Sequence, residues 1–166
     1  IPCDFRGNRI NAFKPVDSNS GFIAPQQEDL VTSTHGSFRP IDLQMGPDGA
    51  LYVADWYNPI IQHGEVDFRD ERRDHTHGRI WRITAKDRAL VKKPTIKDAS
   101  VSELLKHLIA PEAWTRTQAK LFLKDRGADA VVRPLKNWVR SLDASDSQID
   151  AYRLEALWVS LSLMKP

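Results

Sequence analysis

The chain has 166 residues, 41% hydrophobic and 28% charged, enough for one large or two small domains with a buried core. Lys and Arg number 24 against 22 Asp and Glu, with 13 basic and 13 acidic residues up to Pro94 and 11 and 9 after it. That evenness supplies no basic stripe for nucleic acid, and no apolar run reaches the roughly 18 residues of a membrane span.

The single cysteine, Cys3, cannot form an internal disulfide, so the redox compartment stays open. The opening "IPCDFRGNRI" has no initiating methionine and no signal peptide, and reads as the interior of a longer sequence. Short β-type runs punctuated by Gly, Pro and Asp follow, predicting strands at 9–16, 21–26, 40–45, 50–55 and 79–84. "GPDG" at 46–49 pre-sets a tight turn, so 40–45 and 50–55 form a hairpin. In the second of these strands Leu51, Val53 and Asp55 share one face. Antiparallel sheets of this kind are the units of propellers and sandwiches.

"KDRALVKKPTIKDAS" reads as a linker, and beyond it the apolar period changes to three and four. The segment 100–110 carries a capping-box spacing, Ser100 and Glu103, with Leu104, Leu105 and Leu108 as its apolar face. A helix is expected from Pro111 to Gly127, and another over 128–142 with Val131, Leu135, Trp138, Val139 and Leu142 on one side and Pro134 in or near its first turn. The last, over 145–163, repeats the cap pattern with Ser145 and Gln148. Short connections make such helices antiparallel neighbours, the logic of α-solenoids.

The hairpin turn has a consequence for chemistry. With "GPDG" at one rim of the sheet, residues 27–39 and 56–78 must leave from the opposite rim. His35 lies in the first segment and His63, His75 and His77 in the second, so four of the five histidines are expected together. The longer segment is far larger than a turn needs, and long ordered loops on a rigid sheet are where binding and chemistry reside. Asp55, Asp67, Asp70 and Asp74 can accept hydrogen bonds or ligate a hard cation, and Arg69, Arg72, Arg73 and Arg79 are forked donors to carboxylate or phosphate. "HTH" places His75 and His77 on one side of an extended segment, but no third ligand is fixed by spacing and no metal set is assigned. The plainer readings stand beside these: "DFRDERRD" as a solvated, self-paired network, the histidines as hydrogen-bonded anchors, and Trp56 and Tyr57 as packing residues. There is no Gly-x-Ser-x-Gly elbow and no dinucleotide fingerprint, and one cysteine cannot make a Cys-x-x-Cys-His haem attachment.

"FRPIDLQMGPDGALYVADWYNPIIQH" followed by "RDHTHGRIWRIT" resembles the closing part of the β-propeller in the large planctomycete and verrucomicrobial haem-binding proteins named as membrane-bound dehydrogenases. That propeller is similar to those of soluble glucose and sorbosone dehydrogenases. In that family HEAT-like helical repeats and a c-type cytochrome domain follow, and "TRTQAKLFLKDRGADAVVRPLKNWV" looks like the helical part. The resemblance implies a mixed α and β chain in two segregated parts. Residues 1–90 would be a partial antiparallel β-propeller, the end of one blade and most of the next; 91–99 a linker; and 100–166 a HEAT-like antiparallel helical segment.

It further implies a periplasmic or otherwise exported protein, binding a sugar or alcohol at the propeller mouth. Asp55, Tyr57, Asn58, His63, Arg73, Asp74, His75, His77 and Arg79 match the family's loop pattern and are expected to line that mouth. His63 or His75 would be the base that takes a hydroxyl proton while a quinone takes the hydride, and the other seven would contact substrate. Pyrroloquinoline quinone, calcium and haem c belong to the complete protein in this reading, none to this chain. The partners are the remainder of the same propeller and a sugar or polysaccharide. The segment alone is expected to be inactive. The competing expectation is a non-catalytic glycan- or protein-binding scaffold of propeller and HEAT type.

Overall fold

A computed structural model describes residues 1–62 and 65–164. It is mixed α and β, with antiparallel sheets preceding four helices. Two compact units make it up, one of residues 1–46 and 50–89, the other of Pro47–Gly49 and the chain from Leu90 onward. No helix among the described residues is long and apolar enough to cross a membrane.

In the first unit β1 (Cys3–Asp4), β2 (Arg9–Ile10) and β5 (Val31–Thr32) pair antiparallel in the order β1-β2-β5. The hairpin of β3 (Val16–Ser18) and β4 (Gly21–Ile23) stands apart from it. The two long strands expected at 9–16 and 21–26 do face each other, but as fragments. Pro15 and Pro25 have no N–H to give, so the ladder shrinks to the pairs Val16–Ile23, Asp17–Phe22 and Ser18–Gly21 plus one bridge, Phe13–Gln26. β1 and β5, two residues each, carry too little pattern to be read in advance.

The third sheet has the order β6-β7-β8, from β6 (Pro40–Met45), β7 (Leu51–Asp55) and β8 (Arg79–Ile83). Met45 faces Leu51 across the hairpin, and Gly49, at φ 77°, takes the left-handed conformation that the turn demands. Central β7 alternates as expected: Leu51, Val53 and Asp55 are buried, Tyr52 and Ala54 half-buried. Leu51 and Val53 join Ile10 and Phe38 in a small core, with Val31, Leu43 and Ile83 against it. The register Asp55–Arg79 and Val53–Trp81 brings the 56–78 connection back to the rim where β7 ended.

The second unit holds α1 (Val101–His107), α2 (Ala113–Arg126), α3 (Ala128–Ser141) and α4 (Ile149–Leu163). The capping box of α1 forms as read: Glu103 N–H donates to Ser100 Oγ and Ser100 N–H to Glu103 Oε2 at 2.8 Å. Three expectations shift. α2 begins at Ala113, so Pro111 precedes its cap residue, Glu112. α3 runs through Pro134 at its seventh residue, tolerating a proline with no N–H for the Ala130 carbonyl. Ser145 does not cap α4; its N–H and hydroxyl bond Asp143 at 2.8 and 2.7 Å, while Asp146 receives the Gln148 N–H at 2.8 Å.

The apolar faces meet in one core of Leu104 and Leu105 from α1 with Leu108 capping its end, Ala119 and Leu123 from α2, Val131 and Leu135 from α3, and Ala156 and Val159 from α4. Glu155, which interrupts the apolar run of α4, is 8% exposed and lies between two cations of α2, Arg116 Nε at 3.1 Å and Lys120 Nζ at 2.6 Å. A carboxylate that deep needs such partners, since an unpaired buried charge is strongly destabilising.

Candidate functional site

The rim where β7 ends is built by a buried carboxylate. Asp55 closes the inward row of β7, 3% exposed, and has three donors: Arg39 N–H at 2.8 Å and Tyr57 N–H at 2.9 Å to Oδ1, and Trp81 Nε1–H at 2.9 Å to Oδ2. It therefore ties the segment before β6, the start of the long connection and strand β8 to one point. The bend it imposes puts Tyr57 at φ 51°, a left-handed conformation unusual for a residue with a Cβ.

Two buried arginines then organise the loop through main-chain carbonyls. Arg39, 7% exposed, donates to Phe5 O at 2.8 Å, Asn58 O at 2.9 Å and Pro59 O at 3.3 Å, and burial holds its guanidinium below its ordinary pKa. Arg73, 6% exposed, donates to Asp67 O and Val66 O at 2.9 Å, to Ile60 O at 3.3 Å and to Gln62 O. Asn58 Nδ2 reaches Asp74 O at 3.2 Å while its Oδ1 accepts the Ile60 N–H at 3.1 Å. A guanidinium satisfies many carbonyls at once because it has five N–H donors and no acceptor. Asp55, Asn58 and Arg73, read from the sequence as ligand contacts, thus direct their polar atoms into the chain.

On the outer side the side chains remain accessible. Asp74 opens a tight turn: Oδ1 accepts the N–H groups of Thr76 and His77, both at 2.9 Å, and Oδ2 lies 2.8 Å from His77 Nδ1. The Thr76 N–H above all, then the bonds from His77 and the Thr76 hydroxyl, pull the Asp74 carboxyl down to about 2, against partial desolvation. An ionised Asp74 accepts from His77 Nδ1–H, and in the neutral ring Nε2 is then the acceptor, on a side chain 68% exposed.

The His77 ring meets Tyr57 edge-on with centroids 6.3 Å apart, the His35 ring stacks on Tyr57 at 5.7 Å, and the Arg79 guanidinium lies 3.4 Å from the Tyr57 ring centre. His35 from the first connection and His77 from the second therefore meet through Tyr57, as the hairpin geometry requires. Ser37, Tyr57, Asp74, His75, Thr76 and His77 line a shallow depression of about 480 Å³. Size does not single it out, since a depression of about 490 Å³ lies beside Arg116 and Glu155 in the helical unit. Its chemistry does: an oriented imidazole, an aromatic face and a cation on one rim. At its edge Arg72 forms a two-pronged pair with Asp70, 2.8 and 2.7 Å, which holds that carboxyl far below its usual range. His75 is exposed and lines the depression. His63 lies outside the described residues.

Both oxygens of Asp55 and of Asp74 already receive N–H groups, and no group of three His, Cys, Asp or Glu among the described residues could hold a metal. Arg39 and Trp81 were not read from the sequence as part of this region. The faint signals for them are an arginine set between Phe38 and Pro40, where a solvated cation has no need to be, and an indole placed by strand register diagonally across from Asp55.

Residues 8–87 match the model of a family described as a domain of unknown function (DUF7133). That stretch contains all of β2 to β8 and the whole rim. Comparison with curated proteins and with solved structures found no match.

Proposed function

We propose that the β7–β8 rim is the ligand-facing part of a sugar- or alcohol-binding site in an exported protein related to quinoprotein dehydrogenases, and that this chain supplies one wall of it. The observation that carries the reading is the Asp74–His77 pair: a fixed imidazole with its accepting nitrogen turned outward beside Tyr57. Such a nitrogen accepts a hydrogen bond from a hydroxyl, and the Arg79 guanidinium held over the Tyr57 ring beside it is a donor to a second hydroxyl. In this arrangement His77 takes the proton-accepting role, with His75 and Arg79 as further ligand contacts.

The propeller-like and HEAT-like architecture belongs to the same proposal. β8 is an edge strand, and Ile80 and Trp81 are 77% and 44% exposed, which suits a sheet covered by other parts of the same propeller. The match over 8–87 supports treating the sheet and its loop as one inherited piece. A second reading, a binding module without turnover, draws support from Asp55, Asn58 and Arg73 being engaged in holding the loop.

Titration of the 166-residue chain with neutral monosaccharides and short glycans, followed by heteronuclear NMR, tests the site. Shifts should concentrate at Tyr57, His75 and His77, and His77→Ala should abolish them without changing the melting temperature. No response at the rim, or shifts confined to α1–α4, would end the proposal. Mixed with quinone, calcium and the same sugars, the chain should leave an artificial electron acceptor unreduced; reduction would show that the wall is a complete enzyme.

A further inference from the structure

From Leu154 onward helix α4 is apolar on two sides: Ala156 and Val159 are buried in the core, yet Leu154, Leu157 and Leu161 on the other side are 43%, 52% and 53% exposed. Apolar residues on both sides of a helix favour cover on both sides. At 100° per residue, Ser160 lies between the buried row and Leu157, so the exposed leucines run continuously into the groove between α3 and α4. The groove is about 510 Å³, with Val132, Leu135 and Val139 of α3 on one side and Ser160 on the other, and Lys136 and Arg140 at its edge.

The charge on that edge is one-sided. Going round α3 from the core, Leu135 is followed by Val139 and Val132, then by Lys136, Arg140 and Arg133, with Asp129 the one acidic residue on the strip. Lys136, Arg140 and Arg133 make no ion pair among the described residues.

We propose that the α3–α4 groove is a docking site for an acidic amphipathic helix of a partner protein. Its apolar stripe would lie along Val132, Val139 and Leu157, with carboxylates on one flank opposite Lys136, Arg140 and Arg133. Helix-in-groove docking reads apolar anchors at i, i+3, i+4 and i+7, and flanking charges set orientation and partner choice. A concave floor between two helices favours a cylinder over a flat anionic membrane, which would need the apolar residues to protrude.

The test uses the full chain and two labelled synthetic helices of about 20 residues. Both carry leucine at i, i+3, i+4 and i+7; one has glutamates along a flank, the other lysines. By fluorescence anisotropy the acidic helix should bind at least about tenfold more tightly, and the combined Lys136→Glu, Arg140→Glu and Arg133→Glu variant should lose about that factor. Val132→Asp should remove binding of either helix. Circular dichroism must show unchanged helicity in each variant, and the milder Lys136→Ala with Arg140→Ala serves if charge reversal unfolds the chain. Equal binding of both helices, no loss on charge reversal, or binding to anionic vesicles with no helix binding would overturn the proposal. So would a dimer dispersed by Val132→Asp, because a second copy would then be the occupant.

Discussion

Asp74 and His77 form a closed pair in which one carboxylate receives the main-chain N–H of His77 at 2.9 Å and approaches its Nδ1 at 2.8 Å. The contact fixes ring orientation and tautomer together. It depends on a carboxylate whose folded pKa, about 2, lies below its ordinary 3.8.

That displacement sets a pH window. A depressed carboxyl contributes stability that is fully present above the unfolded value and is lost as pH falls through the folded one. Order at Thr76 and His77 should therefore persist at pH 5 and disappear between about pH 4 and pH 2. Amide shifts of Thr76 and His77 measured against pH would check it, and Asp74→Asn should remove the transition. A transition centred near an ordinary carboxylate value would mean that the bonds contribute nothing.

Asp55→Asn should destabilise the first unit by about 1–3 kcal/mol, because the new amide can still accept from Arg39 and Tyr57 but presents N–H to the Trp81 indole, donor against donor. Trp81→Phe alone removes that indole donor. The double variant should lose less stability than the sum of the two single losses in denaturant melts, and strict additivity would show that the indole bond is not felt.

Arg73→Lys keeps the charge but cannot span the carbonyls of Ile60, Gln62, Val66 and Asp67. Hydrogen exchange between 65 and 77 should accelerate by about thirtyfold, the signature of roughly 2 kcal/mol lost locally, with α1–α4 unchanged. Uniform acceleration across both units would instead identify Arg73 as part of the global fold.

Tyr57→Asn separates backbone from side chain. Asparagine adopts φ near 51° at less cost than tyrosine, a gain set against loss of the Arg79 contact at 3.4 Å, each worth about 1 kcal/mol. Melting should move little while the sugar-induced shifts at His77 vanish. A large drop in melting temperature would make Tyr57 a packing residue only.

How far the sequence reaches is visible in these same residues. Period and turn chemistry were enough for β6, β7, β8 and the cap of α1, where local propensity and tertiary packing agree. The hairpin turn alone placed His35 and His77 at one rim, and their shared contact with Tyr57 follows from it. What the sequence could not reveal was which polar residues turn inward. Asp55, Asn58 and Arg73 resemble Asp74, His77 and Arg79 in polar character, and only the path of the backbone decides that Asn58 and Arg73 are buried against main-chain groups while His77 and Arg79 stay exposed. Arg39 escaped for the same reason: its partners, Phe5, Asn58 and Pro59, are drawn from distant stretches of the chain.

α2 ends at Arg126 and α3 begins at Ala128, so Gly127, at φ 79° and ψ 164°, is the whole connection between them. A joint one residue long has no slack. Inserting a single amino acid there would rotate α3 by 100° about its axis and swing Val131 and Leu135 off the core they fill, so this corner must tolerate length changes far less than the exposed loop of the other unit.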